Sequence, residues 1–224
     1  MKVKFLNKYN IEIPDKYAKN KSSYSKQSLV ERLESGAWEK EEITLLSKYI
    51  FPDDNVLEIG ACIGALSVVT NDKLSKTSKH TVVEANPNLI KTIEKNKKNN
   101  NCSFDVLNIM IDDPAKNNGD FYVHNFILAS STIKKNHKNS KLVKIEVKPL
   151  SDYFDHNFLI LDIEGSEYQF IENFKKDLTI FKKLLIEFHI LHSPVTLRRT
   201  AIENLKHVGF NLIESINDVY YFER

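Results

Sequence analysis

From Asn55 to Leu107 the chain alternates short, continuously apolar runs with helix-length amphipathic stretches. Val56-Leu57-Glu58-Ile59, His80 to Val83 and Phe104 to Leu107 read as strands. A stretch through Leu66, Val68 and Val69, and another from Asn88 to about Asn100, read as the helices between them. Strand, helix, strand, helix, strand at this spacing permits few folds. The strands must lie parallel, joined by right-handed crossovers and covered on both faces. The pattern returns downstream. Phe158 to Asp162 is an unbroken apolar strand ending in a carboxylate, as a buried central position requires. A helix through Tyr168, Ile171 and Phe174 follows, then a strand from Leu184 to Phe188 and a helix from Thr196 to Val208 that Gly209 closes. Asn211 to Ile213 and Val219 to Phe222 read as a terminal hairpin. The expected fold class is α/β, a doubly wound and mostly parallel sheet.

Two regions break the alternation. Residues 1–35 are polar and rich in Lys and Ser, with an alternating start at Val3 and Phe5 and a turn proline at Pro14. Ser22 to Gly36 has the spacing of a helix, and so does Glu39 to Ile50, which Pro52 ends. Residues 1–35 are expected to be an extension packed on the main domain, residues 36–224. Between 108 and 150, Asp112-Asp113-Pro114 and Asn117-Asn118-Gly119 read as turns, and Phe121 to Phe126 and Leu142 to Val147 as strands of a β insertion. The length, 224 residues, suits one such domain.

Glu58-Ile59-Gly60-Ala61-Cys62-Ile63-Gly64 joins the first strand of the alternation to its helix. Glycines at such a turn let the backbone approach a ligand. The dinucleotide fingerprint G-x-G-x-x-G needs a glycine where Cys62 stands, so the pyrophosphate cradle is missing, and there is no P-loop either. Glu84 ends the next strand, 24 residues beyond Gly60, where a carboxylate can accept both ribose hydroxyls of an adenosine. A nucleoside without a pyrophosphate fits these residues, and S-adenosylmethionine is such a ligand. A plain tight strand–helix turn is the alternative.

Glu58-x-Gly60-Ala61-x-x-Gly64 followed by Val83-Glu84-Ala85-Asn86-Pro87 resembles motif I and the acidic loop of class I methyltransferases. Asp162-Ile163-Glu164-Gly165-Ser166-Glu167 resembles the D-x-E-G-x-E signature of the FkbM family, and Glu187-Phe188-His189 its following strand end. Gly36-Ala37-Trp38-Glu39 resembles the segment before that family's first helix. Leu161 departs from it, since the family often carries lysine there. The resemblance spans roughly residues 36–224. It implies a Rossmann-like sheet with an antiparallel last strand, S-adenosylmethionine as donor, S-adenosylhomocysteine as product and a hydroxyl as acceptor. The implied donor site draws on Glu58, Gly60, Ala61, Gly64, Glu84, Ala85, Asn86, Asn108, Ile109 and Asp162.

Methyl transfer from a sulfonium is an in-line displacement, so the protein must align the groups and manage the acceptor's proton. Asp162, Glu164, Glu187 and His189 fall at the carboxyl end of the central strands, where such sites form. Asp162 or Glu164 is expected to contact the donor's methionine end or orient the acceptor. His189 or Glu164 is expected to be the general base, and Trp38, Glu39, Glu164 and His189 to meet the acceptor. Asp162 can also serve as a helix cap, and His189 as a structural histidine. Glu167 is expected to support the loop or the helix dipole. Asp162, Glu164 and Glu187 could supply oxygens to a divalent metal, but no resident metal is expected. Ser130, Ser131 and Thr132 read as ordinary loop residues that can reach the site.

Lys91, Lys95, Lys97 and Lys98 read as a solvated helix end, and Lys134, Lys135, His137, Lys138 and Lys141 as a basic loop. Cys62 reads as packing rather than a redox centre. With only two cysteines, a disulfide scaffold or four-cysteine zinc site is not expected. A net charge of +2 argues against a dedicated nucleic-acid binder. Apolar runs are too short to span a bilayer, and a cytoplasmic location is expected. The expected reaction is O-methylation of a small molecule or glycan hydroxyl, a sugar by resemblance alone. The alternatives are a nucleic-acid methyltransferase, which would lack the N/D-P-P-Y/F and Pro-Cys motifs here, and an inactive S-adenosylmethionine-binding protein. Oligomeric state is not legible.

Overall fold

A computed structural model describes residues 1–18, 27–113, 115–125, 130–133, 140–189 and 195–224. The chain opens with a hairpin, β1 (Lys2–Phe5) and β2 (Tyr9–Glu12), followed by α1 (Asp15–Ala18), α2 (Leu29–Glu34) and α3 (Lys40–Tyr49). The alternating core follows: β3 (Val56–Ile59), α4 (Ala65–Lys73), β4 (His80–Val83), α5 (Ile90–Asn99) and β5 (Asp105–Leu107). Then come β6 (Met110–Ile111), β7 (Asn118–His124) and β8 (Ser140–Lys148), and finally β9 (Phe158–Leu161), α6 (Glu167–Phe174), β10 (Lys183–Glu187), α7 (Val195–His207), β11 (Asn211–Ile216) and β12 (Val219–Glu223).

Seven strands form the main sheet in the order β11-β12-β10-β9-β3-β4-β5. β5, β4, β3, β9 and β10 run parallel, whereas β12 pairs antiparallel with both β10 and β11. This is the doubly wound sheet with an antiparallel last strand that the alternation and the resemblance implied. Every residue of β3, β4 and β9 is buried, because helices cover both faces. One apolar cluster includes Leu46, Val68, Ile93 and Phe158, and the other Ile171, Phe174, Leu205 and Phe222. Pairing shifts register between Leu212 and Glu214 of β11, the edge strand, where Lys48 and the Tyr49 hydroxyl bond the Glu214 carboxylate.

The N-terminal hairpin is part of the first cluster. Val3, Phe5, Tyr9 and Ile11 alternate with polar residues at period two and are buried against it. The helix expected over Ser22 to Gly36 is shorter among the described residues. A capping box between Ser28 and Glu31 starts it at Leu29, and residues 19–26 lie outside the described residues. The 108–150 insertion forms a separate three-stranded sheet, β6-β8-β7. Asn118 and Gly119 do not turn; they begin β7 and pair with Glu146 and Ile145. A Cβ on Gly119 would lie 2.9 Å from the Met110 sulfur, at the flexible end of that side chain. Phe126 and Lys134, Lys135, His137 and Lys138 lie outside the described residues. No helix among the described residues is long and apolar enough to cross a membrane.

At the sheet's N-terminal rim, buried Lys183 donates to Asp54 Oδ2 at 2.7 Å and Oδ1 at 3.0 Å, and to the Tyr49 carbonyl at 3.1 Å. Asp54 also accepts from Phe51 N and Asn157 Nδ2. Removing one partner of such a pair leaves an uncompensated buried charge. Lys183→Ala should lower the unfolding free energy by about 3–5 kcal/mol, read as a fall in the urea midpoint.

Candidate active site

The strand order reverses between β3 and β9, and the loops leaving these two strands open a crevice. Gly60 follows β3 with φ +96°, and a Cβ there would lie 1.6 Å from the Asp162 carbonyl oxygen. No side chain fits, so the tight approach of two backbones demands glycine. Asp162 N donates to Ile59 O at 3.0 Å, carrying the ladder one residue past the strand. Cys62 then takes a left-handed φ of 52°, rare for a residue with a Cβ. Gly64, φ +76°, precedes α4, and a Cβ on it would press to 3.1 Å from Ile93.

Glu84 holds this loop. Its carboxylate accepts from Cys62 N at 2.8 Å and from Asn86 N at 2.6 Å. Burial pushes its pKa up to about 7 despite those bonds. Asn108 steadies the acidic loop from behind, donating to the carbonyls of Glu84 (2.8 Å) and Ala85 (3.1 Å). Cleft space of about 820 Å³, partly open to solvent, lies in front of these elements. Trp38, Glu39, Gly60, Glu84, Ala85, Asn86, Ile109, Asp162 and Glu164 line it, with apolar walls including Met110, Phe121 and Phe170. Four of these side chains are carboxylic acids, and no described Lys, Arg or His lines the cleft. Ser130 and Thr132 also line it, so the insertion supplies one wall. Ser131 donates to the Glu164 carbonyl at 3.1 Å, and Thr132 bonds Ser166, which fastens that wall to the loop after β9.

Beside the cleft, carboxylates surround His189. Nδ1 lies 3.0 Å from Glu167 Oε1; Nε2 lies 3.6 Å from Glu164, 3.7 Å from Asp162 and 3.8 Å from Glu187. Burial opposes its charge, but the bond to Glu167 and the fields of Asp162 and Glu164 win and push its pKa up to about 11. His189 is therefore an imidazolium at neutral pH. It has no free lone pair there, which counts against the general-base role expected for it. Burial pushes Asp162 well above the carboxylate range, only partly offset by His189, and its Oδ1 is buried without a hydrogen-bond partner. Glu187 is pushed up to about 8 by burial and by Asp162. Asp162, Glu164 and His189 offer ligand atoms within 4.8 Å of one another, a spacing that a metal ion could bridge.

Glu167 does what its place in the first helical turn suggested. Fully buried, it accepts from Ile163 N (3.1 Å) and Gly165 N (3.0 Å) and orients His189. The loop it braces carries two left-handed residues, Glu164 (φ 54°) and Gly165 (φ 103°). Glu58, Ala61, Gly64 and Asn108 do not line the cleft. Glu58 instead accepts from Ser67 Oγ at 2.6 Å and pairs with His80 Nε2 at 3.2 Å, tying β3 to α4 and β4. Cys62 lines the cleft, yet burial and the carboxylates Glu39, Glu84, Asp162 and Glu164 keep its thiol protonated. Trp38 and Glu39 do form a wall; Arg32 stacks on the indole at 4.7 Å. Burial, with Glu42 and Glu58 nearby, drives Glu39 well above the carboxylate range.

Glu42 escaped the sequence reading because it sits in α3, where a charged residue reads as solvent-facing. It is 5% exposed, shares a hydrogen bond with Glu187, and burial pushes its pKa up to about 8.

Glu42, Glu84, Glu187 and His189 all hold protons more tightly folded than unfolded, where carboxyls titrate near ~4.3 and histidine near ~6.5. Stability from a raised pKa is complete below the unfolded value and is lost as pH rises through the folded one. The free protein should therefore melt at progressively lower temperature as pH rises from about 5 to about 9. Glu187→Gln should flatten that decline, as scanning fluorimetry across the range would record.

Residues 58–212 match the family described as the methyltransferase FkbM domain. No curated protein sequence matches the chain. Among solved structures, the precorrin-6y C5,15-methyltransferase of Geobacter metallireducens GS-15 is 14% identical, with 96% of this chain and 98% of that one covered and a TM-score of 0.53. A fibrillarin–Nop5p complex structure is 13% identical over 97% of this chain and 94% of that one, TM-score 0.53. A putative S-adenosylmethionine-dependent methyltransferase of Streptococcus mutans is 10% identical over all of this chain and 55% of that one, TM-score 0.54. At such identities the likeness is one of fold. With its family match over most of the chain and this sheet, the chain belongs to the FkbM family of class I, S-adenosylmethionine-dependent methyltransferases.

Proposed function

We propose that the protein methylates a hydroxyl group of a small molecule or glycan, with a sugar as the favoured acceptor. One observation carries the donor half of this reading. The cleft presents Glu39, Glu84, Asp162 and Glu164 and no described basic side chain, which suits a cationic sulfonium and opposes a phosphate backbone. When bound, S-adenosylmethionine supplies an electrophilic methyl group already activated by the sulfonium charge. Gly60 leaves room against the backbone, Glu84 offers its remaining lone pairs to ribose hydroxyls, and Ala85, Asn86 and Ile109 border the adenine side.

The acceptor half rests on the proton. A hydroxyl must lose one as it attacks, and a carboxylate of raised proton affinity can take it. Asp162 fits this need by position: it lines the cleft with a buried, unpartnered oxygen, and a bound sulfonium cation would favour the ionised form that burial opposes in the free protein. Glu164 borders the same space and orients the acceptor. The His189 imidazolium offsets the negative charge that gathers around them and fixes their positions, without being the base. The sugar preference rests on the family resemblance. A cytoplasmic location is part of the same reading.

Asp162→Asn should cut turnover by about 10²–10⁴-fold while its affinity for S-adenosylhomocysteine, measured by calorimetry, stays within a few-fold of wild type. Unchanged turnover would remove Asp162 as base. Failure of the wild type to bind S-adenosylhomocysteine would overturn the donor assignment. Retention of RNA, but of no small hydroxyl compound, in binding assays would favour a nucleic-acid acceptor.

A further inference from the structure

No residue of the N-terminal hairpin lines the cleft, yet a side chain on α5 bonds both the hairpin and the glycine loop. Asn96, on α5, is fully buried. Its Oδ1 accepts from Glu12 N at 2.6 Å; its Nδ2 donates to Glu12 O at 3.0 Å and to Ile63 O at 2.8 Å. One helical turn on, Asn100 repeats the first half of this pattern, accepting from Asn10 N at 2.8 Å and donating to Asn10 O at 3.0 Å. Two amides four residues apart share a helix face. Here they stand in for the peptide edge of a third strand, binding alternate residues of β2. Only Asn96 also reaches the glycine loop.

That loop needs holding. Cys62 sits at φ 52° and Gly60 and Gly64 at positive φ. A sparsely populated backbone persists only where its surroundings over-determine it. Glu84 grips the loop from the cleft side at Cys62 N, and Asn96 grips it from behind at Ile63 O. Ile63 and Asn96 are both fully buried, so solvent does not readily replace a lost donor. Lys95, paired with Glu12 Oε1 at 2.7 Å, adds to the clasp on the hairpin.

We propose that Asn96 is a positioning residue for the donor site, coupling the β1–β2 hairpin to the glycine loop so that residues 1–13 brace the loop from behind rather than cover the cleft. This rests on the reading of the cleft as the S-adenosylmethionine site. Asn100 provides the control, because it anchors the same hairpin without touching the loop.

Calorimetry with S-adenosylhomocysteine at 25 °C, together with melting curves, separates the two roles. Asn96→Ala and Asn100→Ala should both lower the melting temperature. Only Asn96→Ala should weaken binding, by about tenfold, the net worth of one buried hydrogen bond. Wild-type affinity in Asn96→Ala, or equal weakening in Asn100→Ala, overturns the inference. Hydrogen exchange on the wild type tests it without a variant. S-adenosylhomocysteine should raise protection of residues 8–13 together with 60–66, and protection confined to 60–66 overturns it. If the wild type does not bind S-adenosylhomocysteine, the donor reading falls and this inference with it; the other outcomes strike this inference alone.

Discussion

The contact between Gly60 and the Asp162 carbonyl is the point on which the molecule turns. Two adjacent parallel strands, β3 and β9, send their chains in opposite directions at this spot, and the crevice exists because they do. Their backbones touch so closely that a single methyl group would overlap a carbonyl oxygen. The same contact sets Asp162 at the cleft floor and starts the left-handed turns on both sides. A fold-level constraint and a chemical requirement therefore meet at one residue without a side chain.

Charge balance is the second constraint. Asp162, Glu164, Glu167 and Glu187 crowd one imidazole, and mutual repulsion would disperse them without a cation. His189 supplies it by holding a proton far above its usual range. Burial raises the proton affinity of Glu42 and Glu187, which lessens the remaining repulsion. The site thus gathers acids whose ionised form burial suppresses, and a positively charged ligand would favour that ionised form.

Much of this was legible from the sequence because parallel, two-sided burial writes continuous apolar runs. Val56 to Ile59, His80 to Val83 and Phe158 to Leu161 are strands as read. What escaped depends on residues far apart in the chain. Glu58 looks like a ligand in a motif, but its partners Ser67 and His80 lie on two other elements and consume its carboxylate. His189 has the chemistry of a base in isolation, and the convergence of four acids around it raises its hold on a proton. Glu42 reads as surface in an amphipathic helix. Asn96 and Asn100 vanish in a Lys/Asn-rich stretch whose composition suggests nothing but solubility. Gly119, read as a turn, is in a strand because it pairs with Ile145 on β8, far along the chain.

The register shift in β11 has a consequence for the molecule among its neighbours. A seven-stranded sheet that is not closed leaves two margins where backbone groups are free to recruit another chain. At one margin the extra residue between Leu212 and Glu214 interrupts the even spacing such recruitment needs, and Glu214 is drawn back onto α3 by Lys48 and Tyr49. At the other, β5 is only three residues long. Both margins are poor templates, so the exposed Leu212 and Ile213 sit on an edge that resists fibril-like stacking.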